Sequence, residues 1–168
     1  MNYRIPVSLA LLSLLATPGA LARPAAGVET VTKPASATGL SAERPLLTVH
    51  KHPSCGCCGV WVEHMKRAGF NVVEKNVEGM AAVKASAGVP TSMGSCHTAQ
   101  VGGYFVEGHV PAADIRRLLR ERPDARGIVV PGMPIGSPGM EHPQGIVQPY
   151  MVSLILKDGS VRKFNRYP

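Results

Sequence analysis

Three of the four cysteines of this chain lie within four consecutive positions, in the segment HPSCGCCGVW. Cys55, Cys57 and Cys58 form a C-x-C-C pattern, and the remaining cysteine, Cys96, stands beside His97. Sulfur in such a pattern could form disulfides, act as a redox-active C-x-x-C pair, or ligate zinc or a softer metal ion. A structural disulfide usually closes a longer loop than this spacing allows. The pattern therefore favours redox or metal chemistry.

The close spacing of three cysteines indicates which metal ion they could bind. A zinc site made of four cysteines normally uses two well-separated C-x-x-C pairs, whereas here only Cys96 is remote from the others. Crowded thiolates suit a soft ion that accepts few ligands, or several ions that share bridging sulfurs, and Cu(I) is such an ion. We therefore expect Cu(I), as a single ion or as a multinuclear thiolate-bridged cluster. The expected ligands are Cys55, Cys57, Cys58, Cys96 and His97.

Other histidines and methionines could add ligands to this set. The weaker candidates are His50, His52, Met93, Met133 and Met140. The two histidines lie on the approach to the cysteines, and the methionines lie in segments rich in glycine and proline. Methionine is also a common filler of apolar cores, so these residues rank below the cysteines. His64, on a predicted helix, and His109, shortly before Pro111, have weaker arguments still.

Two other functions remain open on the same residues. The chain could be a thiol-disulfide oxidoreductase in which Cys55 is the nucleophile and Cys58 the resolving thiol. Cys57, and Cys96 with His97, have no required task in such an enzyme, which favours metal binding. A zinc-stabilised interaction domain is the third alternative. Copper binding without turnover is the simplest hypothesis, and a copper-dependent oxidoreductase is its enzymatic form.

The elements that must position the cysteines follow from apolar patterning. LLTVHK, residues 46–51, predicts a buried strand. The segment after the cysteines has an apolar face at helical spacing and a terminating glycine, Gly69, so it predicts a helix. The cysteines then lie at the start of that helix, where backbone N–H groups and the helix dipole stabilise thiolates.

The later elements complete a recognisable order. A second strand is predicted over 71–77, a short helix closing at Gly88, a hairpin over 95–107, and a helix between Pro111 and Pro123. This βαβα then ββα order predicts an α/β, thioredoxin-like fold.

The remaining C-terminal segment is expected to contain a long loop and a hairpin. Residues 129–145 form a loop rich in glycine, proline and methionine, and YMVSLILKDGSVRKFN, residues 150–165, predicts a β-hairpin. The pattern does not decide whether this added hairpin extends the sheet or covers the loop.

The N-terminus predicts export. Residues 1–22 have Arg4, an apolar run and a small-residue cleavage site, which is the layout of a signal peptide. The apolar run is shorter than the about 20 residues that a spanning helix needs, so we expect no membrane span after cleavage. Residues 23–45 then form a flexible linker, and residues 46–168 a metal-binding domain in the periplasm.

The net charge of +7 raises the question of nucleic acid. The arginines between Pro111 and Pro123 lie opposite an apolar stripe, and no aromatic residues interleave with them for base stacking. We therefore expect no nucleic acid among the partners. The expected partners are copper ions and other periplasmic copper-handling proteins.

Three segments of the chain resemble a known family. HPSCGCCGVWVEHMKRAGF, GVPTSMGSCHTAQVGGYFVEGHVPAADIRRLL and GIVVPGMPIGSPGME are similar to domain of unknown function 411, which includes CopG-type periplasmic copper-resistance proteins. The resemblance covers nearly all of residues 46–164 and implies a thioredoxin-like fold, a periplasmic location and copper binding. The copper ligands that it implies are Cys55, Cys57, Cys58 and Cys96. Adding Met133 and Met140 to them is our own extrapolation.

Overall fold

The computed structural model describes residues 44–168, which contain seven β-strands and three α-helices. The strands are β1 (Leu46–Lys51), β2 (Asn71–Asn76), β3 (His97–Val101), β4 (Tyr104–Glu107), β5 (Ala125–Val129), β6 (Tyr150–Leu156) and β7 (Val161–Tyr167). The helices are α1 (Gly56–Arg67), α2 (Met80–Ala87) and α3 (Ala112–Glu121), and a 3-10 turn spans Thr91–Met93. The predicted signal peptide, residues 1–22, and residues 23–43 of the predicted linker lie outside the described residues.

One mixed sheet carries these seven strands in the order β2-β1-β3-β4-β5-β6-β7. β1 pairs with β2, and β4 with β5, in parallel. The other neighbours pair antiparallel. The protein is therefore a mixed α/β fold. None of its helices within residues 44–168 is both long and apolar enough to cross a membrane.

Side chains on the two faces of the sheet form two apolar clusters. The larger cluster contains Trp61 of α1, Leu118 of α3 and Val49 of β1, all fully buried. The smaller one is built around Phe105 of β4, with Ala87 of α2 packed against it. Because neighbouring residues of a strand point to opposite faces, α1 and α3 cover one face of the sheet and α2 covers the other.

Most of the predicted elements are confirmed. The first seven elements follow the predicted order of strand, helix, strand, helix, hairpin and helix. Gly88 ends α2 in the left-handed conformation at φ 76°, where glycine has no steric penalty. The C-terminal hairpin forms β6 and β7, with its turn at Asp158 and Gly159.

Strand β5 was not predicted, and it decides where the C-terminal hairpin lies. Its sequence, ARGIV, is short and includes Gly127, which lowers the strand signal. Gly127 is required by packing, because a side chain there would overlap the carbonyl and ring of Phe105 on β4. β5 pairs with β4 on one side and β6 on the other. The hairpin therefore extends the sheet.

Candidate metal centre

Three cysteines lie at the start of α1, and they differ in burial. Cys55 is the N-cap residue, and its N–H donates to the His52 carbonyl at 3.0 Å. Cys58 is fully buried, whereas Cys55 and Cys57 are half-buried. No acidic side chain lies in the first turn, and no side chain caps it. The unpaired N–H groups of this turn therefore favour negative charge on sulfur.

The state of the cysteines differs from the expectation of four free thiolates. Cys55 and Cys58 are joined by a disulfide, whereas Cys57 and Cys96 are free. The bond follows from the helical turn, which brings the Cα atoms of residues three apart to 5.4 Å, within the range a disulfide spans. Cys57 Sγ lies 3.6 Å from Cys55 Sγ. The structure therefore shows the oxidised C-x-x-C pair, with a third sulfur beside it.

Cys96 meets two buried histidines on the opposite side of the site. It directly precedes β3, which begins at His97. Its Sγ lies 3.3 Å from His97 Nδ1 and 3.0 Å from His109 Nε2. Both rings are fully buried, and the His97 ring lies 4.4 Å from the Trp61 ring, centroid to centroid. Trp61 is itself fixed by donating its indole N–H to the Val110 carbonyl at 2.9 Å.

Burial sets the protonation of this group. It lowers the pKa of His97, helped by the charges of His109 and Lys84, and it lowers the pKa of His109. Both imidazoles are therefore neutral at neutral pH, which is the form that binds metals. Burial, and then the nearby Cys57, raise the pKa of Cys96 to about 11. Its thiol keeps its proton until a metal ion displaces it.

Hydrogen bonding leaves the Nε2 lone pair of His109 available to a metal. His109 Nδ1 donates to the Pro138 carbonyl at 2.9 Å, so its Nε2, which faces Cys96, has no proton. His97 turns its Nδ1 to Cys96 Sγ, and its other nitrogen, Nε2, is buried without a hydrogen-bond partner. Soft sulfur beside neutral imidazole fits a soft metal ion. The donor chemistry of the site therefore fits copper.

The donor atoms form two groups that share one residue. The sulfurs of Cys55, Cys57, Cys58 and Cys96 all lie within 4.8 Å of one another. The second group contains one donor atom from each of Cys96, His97 and His109, and these atoms also lie within 4.8 Å of one another. Because Cys96 belongs to both groups, the six residues form one continuous set of possible ligands.

Two of the weaker candidates do not join this set. His50 follows Val49 on β1 and therefore points to the face that α2 covers. Its pKa is lowered by burial and by the charge of Lys75. His52 is partly exposed and hydrogen-bonds Ser54 Oγ at 2.7 Å and a carboxylate oxygen of Glu78 at 3.0 Å. Neither histidine belongs to the two groups of donor atoms.

The candidate methionines have three different environments. Met93 was expected in a loop away from the core, but it ends the 3-10 turn and packs against the smaller apolar cluster. Met133 is 51% exposed. Met140 is half-buried, and its N–H donates to the Ser137 carbonyl at 2.8 Å. Their role as ligands stays a prediction.

The long loop between β5 and β6, residues 130–149, packs against the cysteines, and we call it the covering loop. His64 Nε2 on α1 lies 2.6 Å from Glu141 Oε1 of this loop. Gly139 packs so closely on α1 that an added Cβ would lie 2.8 Å from the Cys57 carbonyl oxygen and 2.9 Å from the Trp61 nitrogen. The covering loop therefore lies directly on the turn that carries the cysteines.

Replacing Gly139 with alanine is expected to lift the covering loop from α1. The added Cβ has no room, and the φ of 86° is unfavourable for alanine. We expect a loss of about 1–3 kcal/mol in the free energy of unfolding, measured by urea denaturation, and faster alkylation of Cys57. Gly132→Ala is the matched control, since its φ is 68° but its Cβ meets nothing within 4 Å. Equal effects of the two variants would contradict the close packing.

His109 is a candidate ligand that the sequence reasoning undervalued. The hairpin turn at Gly102 and Gly103 pairs Thr98 with Glu107. Beyond this pair, the chain turns at Gly108, which has φ 73° and donates its N–H to the His97 carbonyl at 3.0 Å. The turn brings His109 Nε2 to 3.0 Å from Cys96 Sγ. The alternation of a strand would instead place His109 on the same face as Glu107, so the predicted hairpin alone did not contain this signal.

Comparisons with known proteins identify similar chains. A family model described as "Protein of unknown function, DUF411" matches residues 93–140, which include Cys96, His97 and His109. Two solved structures of a copper resistance protein, CopG, in forms 2 and 1, are each 48% identical to this chain and cover 75% of it. The alignments span 100% and 99% of those chains, with TM-scores of 0.72 and 0.71. No curated protein matches the chain.

Proposed function

The chain belongs to the DUF411 family of CopG-type copper resistance proteins, and we propose that it binds Cu(I) as its substrate in copper tolerance. It would sequester, deliver or change the redox state of copper. The ligands that we propose are Cys55, Cys57, Cys58, Cys96 and His97, as expected from the sequence, and His109, which the structure adds.

The observation that carries this proposal is the convergence of sulfur and neutral nitrogen on Cys96. Its Sγ is within 4.8 Å of three other sulfurs and is 3.0 Å from His109 Nε2. A sulfur in this position can bridge two ions, one held by the C-x-C-C segment and one held by the histidines. This arrangement supports a multinuclear thiolate-bridged Cu(I) cluster.

The disulfide supports a redox role alongside binding. Two Cu(II) ions that accept one electron each from the Cys55 and Cys58 thiolates would yield two Cu(I) ions and the disulfide. The two thiols release their protons in this step. Repeated turnover would need a dithiol reductant to restore the pair. Without that reductant the protein binds copper and reduces it once, so binding without turnover remains the simpler form of the proposal.

We also infer the cellular setting and the fold family. The order β1-α1-β2-α2-β3-β4-α3 supports a thioredoxin-like domain, to which the covering loop and the β6-β7 hairpin are added. The proposed signal peptide, residues 1–22, and linker, residues 23–45, would place this domain in the periplasm. Other periplasmic copper-handling proteins are the partners expected there.

An anaerobic titration tests copper binding. The reduced protein is titrated with Cu(I) against a competing chelator, and with Zn(II) in parallel. We expect Cu(I) to bind much more tightly than about micromolar and to displace Zn(II). Cys57→Ser, which leaves the C-x-x-C pair intact, is expected to reduce the number of Cu(I) ions bound. Binding no tighter than about micromolar in the wild-type protein would refute the proposal.

The disulfide also favours a second candidate function, thiol-disulfide exchange. Cys55 is half-buried at the rim and Cys58 is fully buried, as expected for an attacking and a resolving thiol. An insulin-reduction assay separates the two functions. Efficient reduction that survives Cys57→Ser but not Cys55→Ser would favour the exchanger over the copper protein.

A further inference from the structure

A buried ion pair lies behind the segment that carries Cys96, on the face of the sheet covered by α2. Glu107, the last residue of β4, is 0% exposed. Lys84 of α2 reaches it with Nζ 2.5 Å from Oε1. Thr98 of β3 donates its hydroxyl to Oε2 at 2.7 Å and accepts from Lys84 Nζ at 3.1 Å. A buried carboxylate is costly unless it is paired and hydrogen-bonded, and Glu107 satisfies both conditions.

One contact of Glu107 leads out of this network toward the metal centre. The backbone N–H of Ser95 donates to Glu107 Oε1 at 2.6 Å. Ser95 directly precedes Cys96, and β3 begins only at His97, so sheet pairing does not hold Cys96 itself. A buried carboxylate therefore fixes the backbone of the turn that carries Cys96.

The same turn connects to the covering loop. The Ser95 hydroxyl donates to the Gly132 carbonyl, and the Gly132 N–H donates to the Gly94 carbonyl at 3.2 Å. Ser95 also packs against Gly108 so closely that an added Cβ at Gly108 would lie 2.6 Å from Ser95 Cβ. Displacing Ser95 would therefore displace both Cys96 and the covering loop.

We propose that the Lys84–Glu107 ion pair is a positioning device that holds the Ser95 turn so that Cys96 Sγ faces the other sulfurs and His109. The importance of this ion pair for copper binding rests on the proposed function, in which Cys96 is a ligand. The placement of the thiol itself does not depend on that function. It can therefore be tested without copper.

The first test measures the reactivity of the two free thiols in metal-free protein. The protein is expressed from its full-length chain, purified without reductant so that Cys55–Cys58 stays bonded, and alkylated with iodoacetamide. Peptide mass spectrometry then gives separate rates for Cys57 and Cys96. In Lys84→Leu/Glu107→Leu, which removes both charges together, we expect Cys96 to react about tenfold faster and Cys57 to change less than about twofold.

Two further variants separate positioning from general stability. Glu107→Gln keeps an oxygen acceptor for the Ser95 N–H, so its Cys96 rate should stay within about threefold of wild type. Asp114→Asn is the matched control, because Asp114 is another buried carboxylate, 2% exposed. It accepts hydrogen bonds from the side chains of Asn165 and Tyr167, near the C-terminus of the chain. This variant should change neither rate. An unchanged Cys96 rate in a folded double variant, or equal acceleration of both thiols, overturns the proposal.

A measurement on the wild-type protein keeps the proposal testable if the double variant does not fold. The Ser95 amide, bonded to a buried carboxylate, should exchange with deuterium at least about a hundredfold more slowly than exposed loop amides. Exchange at the rate of those amides overturns the proposal. In a parallel copper titration, the folded double variant should bind Cu(I) about tenfold more weakly than wild type. Weak binding by the wild type refutes only the proposed function.

Discussion

Cys96→Ser is expected to weaken Cu(I) binding by at least about a hundredfold, more than any other single substitution at the site. Cys96 is the one residue shared by the sulfur group and the histidine group, so its removal breaks the set in two. A serine hydroxyl is a hard, weak donor that a soft ion does not accept in place of a thiolate. The measurement is anaerobic competition of the reduced protein with a Cu(I) chelator.

Comparison variants make the result for Cys96 specific. His109→Ala removes a proposed ligand from one group only and should weaken binding by about tenfold. His52→Ala, at a partly exposed histidine outside both groups, should leave affinity and copper stoichiometry unchanged. Circular dichroism checks that each variant is folded. If Cys96→Ser keeps both the affinity and the stoichiometry of the wild type, Cys96 is not a ligand.

The second large effect is expected from the oxidation state of the Cys55–Cys58 pair. The thiolate is the form of cysteine that binds metals, so the disulfide takes two of the four sulfurs out of the donor set. We expect the oxidised protein to bind Cu(I) at least about a hundredfold more weakly than the reduced protein. Parallel titrations of the two forms measure the difference, with the disulfide content established by mass spectrometry.

The same pair predicts a fixed stoichiometry of copper reduction. Reduced protein mixed anaerobically with excess Cu(II) should yield two Cu(I) ions for each Cys55–Cys58 disulfide formed. A Cu(I)-specific chelator measures the copper, and alkylation of the remaining thiols measures the bond. The Cys58→Ser variant cannot form this disulfide, so it should not yield two Cu(I) ions for each disulfide formed. Equal Cu(I) affinity of the oxidised and reduced forms, or Cu(II) reduction without disulfide formation, would contradict a redox role for the pair.

The elements could be predicted because their signals are local. The apolar face of α1, the β-branched run of β1 and the glycines at helix ends and hairpin turns act over a few residues. β5 was not recognised because its glycine serves a contact with Phe105, a residue that lies on another strand. The hairpin of β6 and β7 could not be placed on the sheet without that strand.

The candidate site, like the fold, could be predicted from the sequence only where its signals are local. The C-x-C-C spacing identified sulfur chemistry, since its residues are neighbours in the chain. His109 was undervalued because it reaches Cys96 only through the turn at Gly108, which follows the last residue pair of β3 and β4. The contacts of the covering loop with α1 were not foreseen, because a loop rich in glycine and proline has no periodicity that points to its packing surface.

The amino-acid pattern was sufficient to predict the order of the first seven elements, the C-terminal hairpin, and the four cysteines as candidates for metal or redox chemistry. These properties depend on residue type and short spacing. The three-dimensional fold added the shared position of Cys96, the neutral histidines buried behind it, the disulfide between Cys55 and Cys58, and the Lys84–Glu107 pair beneath Ser95. Apart from the disulfide, whose cysteines are only three residues apart, these features depend on distances between residues far apart in the chain and on the exclusion of water. Both arise when the sheet and helices pack.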